Sequence, residues 1–171
     1  MDKRRFDNLL VQVAKGSEDA FEKLYYETYK GIYALIYPYF HNSLDTEDAL
    51  QEVYIRVKDK AHLYKKGTDA RAWLFQLAKN TTINLLRDKY KLRDVTSNIG
   101  DEEYASKDSS WDNTMFILMQ KCLDDDEYQI VIRYILMKYK HKEIASELNM
   151  PLGTVLYKYQ VALEKIRKEL K

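Results

Sequence analysis

Glycine and proline are scarce in these 171 residues, at five and two, and there is one cysteine. So little turn punctuation argues against a strand-rich architecture, while abundant Leu, Lys, Glu, Ala and Tyr favour helix, so an all-α chain is expected. Cys122 alone cannot build an internal disulfide framework and fits a reducing compartment, where it reads as a small buried hydrophobe rather than a reactive thiol. No stretch approaches the roughly 20 apolar residues of a membrane span, and the basic start "MDKRRFDNLL" lacks the apolar core of a secretion signal. A cytoplasmic location is expected.

The residues of catalysis are equally sparse. His41, His62 and His141 are too far apart in sequence for a helical metal pair, and none has a cysteine or carboxylate at ligand spacing. There is no glycine loop to cradle phosphate and no nucleophile elbow. The sequence thus points to no metal, no cofactor and no enzyme.

What the chain does have is segregated charge. Net charge is +1. From Arg56 to Arg93, eleven Lys/Arg face three Asp/Glu, a balance of +8, whereas Asp94 to Asn113 carries one Lys against six acids, a balance of −5. A surface built to meet a polyanion is set beside a solvated connector. That connector, "DVTSNIGDEEYASKDSSWDN", is polar, acidic and aperiodic, and reads as a flexible linker.

Apolar residues recur at helical spacing over 4–15, 17–40, 46–61, 68–90, 113–122, 125–138, 141–149 and 154–170. Ser17, Asp45, Thr68 and Asp124 are candidate N-caps, and Glu127 completes a capping box with Asp124. The "DDDE" run is therefore read as a helix start, where acids suit the helix dipole, rather than as a metal site. The expected organisation is two small helical domains, 1–93 and 113–171, joined by an acidic linker, 94–112.

Three surfaces carry the functional argument. In "DTEDALQEVYIRVKDKA", Ala49, Leu50, Val53, Tyr54, Val57 and Ala61 form one stripe for the core. The opposite face holds Asp48, Gln51, Glu52, Ile55 and Asp59, so Ile55 is either an ordinary exposed residue or part of a docking face. In "TDARAWLFQLAKNTTINLLRDKYKLR", Ala70, Leu74, Leu77, Ala78, Thr81 and Leu85 form the core stripe. Trp73, Gln76, Asn80 and Arg87 then lie along one flank, with Tyr64, Phe75 and Tyr90 interleaved. This is either a platform for single-stranded nucleic acid, with bases stacking on aromatics, or a core edge beside a solvated basic face.

The third surface is a helix-turn-helix. "HKEIASELN" supplies a first helix with Ile144, Ala145 and Leu148 inward, Asn149 suits the left-handed cap, and Pro151 helps shape the turn. The second helix buries Val155, Tyr159, Ala162, Leu163, Ile166 and Leu170. Its outward N-terminal residues, Thr154, Tyr157, Lys158 and Val161, are those placed to enter a major groove. None offers the bidentate arginine-to-guanine pairing that specifies most strongly, so weak binding through thymine methyls or groove shape is expected.

Taken in order, these segments resemble the extracytoplasmic-function sigma factors, the two-domain class of bacterial transcription initiation factors. "DTEDALQEVYIRV" is similar to the family's polymerase-binding helix, "ARAWLFQLAKNTTINLLR" to its promoter-melting helix, and "KEIASELNMPLGTVLYKYQVALEKIRK" to its −35-binding helix-turn-helix. The resemblance implies that Asp48, Gln51, Glu52 and Ile55 dock on core polymerase. It implies that Trp73, Gln76, Lys79, Asn80 and Arg87, with the loop 62–69, hold the melted −10 strand. Thr154, Tyr157, Lys158, Val161 and Lys165 would meet the −35 element, with Lys168 near phosphates. An anti-sigma factor is implied as a further partner. The chain departs from the family at Leu156, Tyr157 and Val161, where a basic residue, serine and arginine are usual, and at Lys140, where a serine commonly caps the preceding helix. The competing readings are a sigma-like regulator that binds duplex DNA without recruiting polymerase, and a helical adaptor that binds only protein.

Overall fold

The computed structural model describes residues 3–95 and 114–170, whose regular structure is helical throughout. The chain divides into two compact units, residues 1–108 and 109–171. Of the expected linker, 94–112, all but Asp94 and Val95 lies outside the described residues.

The first unit runs α1 (Lys3–Ala14), α2 (Glu18–Phe40), α3 (Ser43–Lys60), a 3₁₀ turn (Ala61–Leu63) and α4 (Ala70–Val95). Its central element is α2, which packs on α1, α3 and α4. Every residue from Gly31 to Tyr37 is buried, so here α2 is surrounded on all sides. Phe6, Leu10, Leu24, Ile32, Ile36, Val53, Val57 and Leu74 are fully buried around it, each stabilising the fold by about 1.5–3 kcal/mol. One polar bridge crosses this core. Thr28 donates its only hydroxyl proton to the Leu24 carbonyl at 2.6 Å, so the Tyr54 hydroxyl, 2.7 Å away, is the donor to Thr28. Burial pushes the Tyr54 phenol well above its usual range and keeps it a neutral donor.

Two helix starts differ from the sequence reading. Asn42, not Asp45, caps α3: its side-chain oxygen accepts the Asp45 N–H at 2.8 Å. Asp45 thus falls in the first turn and turns its carboxylate to Lys89 on α4, at 2.5 Å. At α4, Asp69 rather than Thr68 accepts the first-turn amides, from Arg71 at 3.2 Å and Ala72 at 3.1 Å. The Thr68 hydroxyl donates back to the Lys65 carbonyl instead. In both places two capping residues compete within a few positions, and the one whose oxygen reaches the N2 or N3 amide prevails.

The second unit comprises α5 (Thr114–Cys122), α6 (Asp125–Ile135), α7 (His141–Glu147) and α8 (Leu152–Glu169), with α8 packed on the other three. The acidic run opens α6 as expected: Asp124 accepts the Glu127 amide at 2.8 Å, and Glu127 accepts the Asp124 amide at 2.9 Å. Left-handed Lys138, at φ 58°, follows the end of α6. Asn149, at φ 52°, takes the left-handed position expected between α7 and α8. Tyr134, His141 and Tyr159 stack together, with ring centroids 4.2 to 4.8 Å apart, and tie α6, α7 and α8 to one another.

The buried stripe of α8 is shorter than its sequence period. Val155 and Ala162 are fully enclosed, Tyr159, Leu163 and Ile166 are half-buried, and Leu170 is 60% exposed.

Candidate functional site

On α3, every residue of the expected core stripe is buried. On the opposite face Asp48 and Gln51 are exposed and Glu52 is half-buried, accepting Arg56 Nε at 2.8 Å one turn on. Ile55 is 55% exposed. Leu44, eleven residues earlier and so on the same line of the helix, is 58% exposed. Two aliphatic side chains thus bracket the polar stripe, and the sequence reading found only one. The spacing of eleven was visible, but Leu44 lay before the expected helix start.

The α4 ridge is more selective than the sequence suggested. Gln76, Lys79, Asn80 and Arg87 are exposed, and the Gln76 amide donates to Asn80 at 2.9 Å, which aligns the two amides along the ridge. Trp73 is half-buried at its base. Tyr64 and Phe75, expected as stacking residues, are instead buried. Tyr64 meets Trp73 edge-on, with centroids 5.9 Å apart at 64°. The side chain of Tyr90 lies outside the described residues. Among the described side chains of this flank, Trp73 is therefore the aromatic ring left partly open to solvent.

The loop leading into α4 is exposed from Lys65 to Thr68 and carries Gly67 at φ +86°, a conformation natural to glycine. It is tied down from α1. Asp7 Oδ1 accepts both the Tyr64 hydroxyl, at 2.5 Å, and the Gly67 N–H, at 3.0 Å. The Tyr64 hydrogen bond, then that of Gly67, holds the Asp7 carboxyl below its ordinary range. Burial and the same carboxylate push the Tyr64 phenol up. Nothing local in the sequence announces this contact, which spans 57 residues.

In the helix-turn-helix, Thr154 and Val161 are half-buried, Tyr157 is 69% exposed, and Leu152 and Leu156 are exposed beside it. Lys158 turns toward α6, where its ammonium meets Asp126 at 3.0 Å and Asp124 at 3.3 Å. Lys165 on the same flank meets the buried Glu127 at 2.7 Å. The hydrogen bond that the ammonium donates to Asp126 leads the causes that raise Lys158 above its usual range. The first two turns of α8 contain no other cation. Its outward N-terminal surface is consequently apolar, and the acids of α6 already occupy the charge that could meet phosphate.

The Sigma-70 region 2 family matches residues 24–91, from within α2 through most of α4. Among curated proteins, the chain is 30% identical to the ECF RNA polymerase sigma factor SigW of Bacillus subtilis, with 95% of each chain covered. It is 23% identical to SigX of the same organism, over 90% of this chain and 84% of that one. Among solved structures it is similar to CnrH in complex with the cytosolic domain of CnrY, at TM-score 0.60 and 18% identity, with 97% of both chains covered. It is also similar to the sigma factor RpoE of Bartonella quintana, solved with the anti-sigma factor NepR, at TM-score 0.59 and 16% identity, covering 88% of this chain and 96% of that one. At those identities the structural likeness speaks for the fold.

Proposed function

The chain belongs to the extracytoplasmic-function RNA polymerase sigma factors, and from that premise we propose that its surfaces divide the work of initiation among them. The protein is a bacterial sigma factor that directs promoter-specific transcription initiation. Sigma factors in general are DNA-binding initiation factors rather than enzymes, and in our reading this one catalyses nothing itself. Among the described residues no helix is long and apolar enough to cross a membrane; the cytoplasm, where promoters and polymerase are, is the proposed location.

In this reading residues 1–93 bind polymerase and the −10 element, 94–112 connect, and 113–171 meet the −35 element. Asp48, Gln51, Glu52 and Ile55 dock on core polymerase, joined by Leu44. The exposed aliphatic pair supplies apolar area to be buried, and the intervening acids supply orientation toward a basic partner. The Leu44–Ile55 line on α3 is the observation that supports the reading, because two exposed aliphatic side chains flanking acids on one helix face offer apolar area for a partner to bury.

Trp73, Gln76, Lys79, Asn80 and Arg87 hold the melted non-template strand. Lys79 and Arg87 follow phosphates, the indole face receives a base, and the aligned amides of Gln76 and Asn80 meet base edges. Extracting a base costs a few kcal/mol, which the exposed loop before α4 recovers by enclosing it. Thr154, Tyr157, Lys158, Val161 and Lys165 approach the −35 element. With Lys158 and Lys165 paired internally, this contact is weak and apolar, so −10 recognition and polymerase binding supply most of the selectivity and affinity. An anti-sigma factor that covers these faces in the free protein completes the proposal, by analogy with the complex of RpoE and NepR.

The experiment is co-purification with bacterial core polymerase, comparing wild type with the double variant Asp48→Arg plus Ile55→Glu. Retention of wild type and loss of the double variant supports the assigned face. Equal retention of a folded double variant places docking elsewhere.

A further inference from the structure

We propose that Asp7, on the N-terminal helix, is a positioning residue for −10 recognition, acting through the loop Tyr64–Asp69. The proposal rests on the reading of α4 and its preceding loop as the −10 surface.

The geometry is that of a clamp closed from outside the loop. One carboxylate oxygen of Asp7 receives the Tyr64 hydroxyl at 2.5 Å and the Gly67 N–H at 3.0 Å. These donors lie on either side of Lys65 and Lys66, so the bend between them has both its ends pinned to a single point on α1. One residue past the bend, the Thr68 hydroxyl donates back to the Lys65 carbonyl at 2.7 Å. At the loop's far end Asp69 caps α4. Lys65, Lys66, Gly67 and Thr68 are all exposed, so apolar packing does not hold them; hydrogen-bonded anchors do. Charge-assisted bonds to a carboxylate are roughly twice as strong as neutral ones, which makes Asp7 the principal anchor.

The clamp also reaches the indole. Tyr64, held at its hydroxyl by Asp7, lies edge-on against Trp73 at its ring. A single side chain on α1 therefore sets both the backbone that would enclose a base and the ring beside which it would stack. Capture of an extruded base depends on a pocket already in place, because displacement of about 1 Å can reduce a positioned step a hundredfold. Asp7 need not touch DNA to have this effect.

The test uses the full chain with core polymerase on a promoter library whose −10 tract is randomised, reading selectivity at each position. Core affinity and the thermal midpoint are measured alongside. For Asp7→Ala, base selectivity at one −10 position is expected to fall about five- to tenfold, with core affinity and −35 selectivity unchanged. Tyr64→Phe, a mild change that leaves the Gly67 contact, should weaken the same position less. Asp7→Asn, which keeps an acceptor, should restore most of the selectivity lost in Asp7→Ala. Combining Asp7→Ala with Tyr64→Phe should add nothing to the former. Wild-type selectivity in folded Asp7→Ala and Tyr64→Phe would overturn the inference. So would a uniform loss at all positions that tracks core affinity or thermal midpoint, since that describes a purely structural residue. If wild type itself selects no base in the −10 tract, the −10 reading fails and this inference fails with it; the wild-type arm thus separates the two.

Discussion

Lys158 on α8 and Asp126 on α6 form an ion pair at 3.0 Å, so the lone cation in the first two turns of α8 is committed within the protein. In the proposed −35 contact, DNA phosphate would have to compete with Asp126 and Asp124 for it. Asp126→Asn is therefore expected to raise affinity for duplex −35 DNA about threefold at low salt, a modest gain because the pair is partly exposed and screened. Asp125→Asn changes charge equally without touching Lys158 and should gain less. In a Lys158→Met background the gain from Asp126→Asn should shrink to that of Asp125→Asn. Fluorescence anisotropy across a salt series measures all of these. Equal gains from both aspartates would reduce the effect to net charge.

Leu44 offers a separate check on the docking face. Being exposed in the free chain, Leu44→Glu should alter folding stability by no more than about 0.5 kcal/mol. If it forms part of the buried centre of an interface, core affinity should drop at least about tenfold. Surface plasmon resonance on immobilised core, paired with chemical denaturation of the free protein, separates the two quantities. Unchanged affinity would remove Leu44 from the proposed docking face.

Asn42 caps α3 through the Asp45 amide and, by its own amide, donates to Asp45 Oδ2 at 2.8 Å. Asn42→Ala is expected to destabilise the first unit by about 1 kcal/mol, as loss of an N-cap does. Asp45→Asn leaves that cap intact and should cost less, mainly through the weakened Lys89 contact. Urea denaturation of each variant measures the order; the reverse order would return the cap to Asp45.

What was legible in the sequence follows from how local each signal is. The core stripe of α3, and Ala70, Leu74, Ala78 and Thr81 of that of α4, were readable because periodicity is written in adjacent turns, whereas Leu77 and Leu85 are only half-buried. Asn149 was readable because few residues adopt φ 52°. Cap positions slipped by one to three residues where Asn42 and Asp45, or Thr68 and Asp69, could each serve. Exposure failed where a tertiary partner decides it. Phe75 and Tyr64 are enclosed by helices that no local window contains, and Leu170 is left exposed at the end of its stripe. The same reason hides Asp7 from Tyr64 and Asp126 from Lys158. Long-range pairs of charged and polar side chains leave no periodic trace, yet they determine how the loop before α4 and the N-terminal turns of α8 present themselves.

The cluster of Tyr134, His141 and Tyr159 gives the second unit a predicted pH dependence. Burial lowers the His141 pKa from its ordinary 6.5, and Nε2 is enclosed without a hydrogen-bond partner. The rings of Tyr134 and Tyr159 pack against it and contribute to the burial that favours the neutral imidazole. The unfolded chain therefore takes up a proton at higher pH than the folded one. Stability from this group is fully present above about 6.5 and is lost as pH falls from there through the lower folded value. The thermal midpoint should accordingly decline between pH 7 and 5.5, before most carboxylates titrate. His141→Phe keeps a ring in the stack and cannot be protonated, so it should flatten the decline. Differential scanning calorimetry of wild type and variant over that range decides it: parallel declines would assign the effect to other groups.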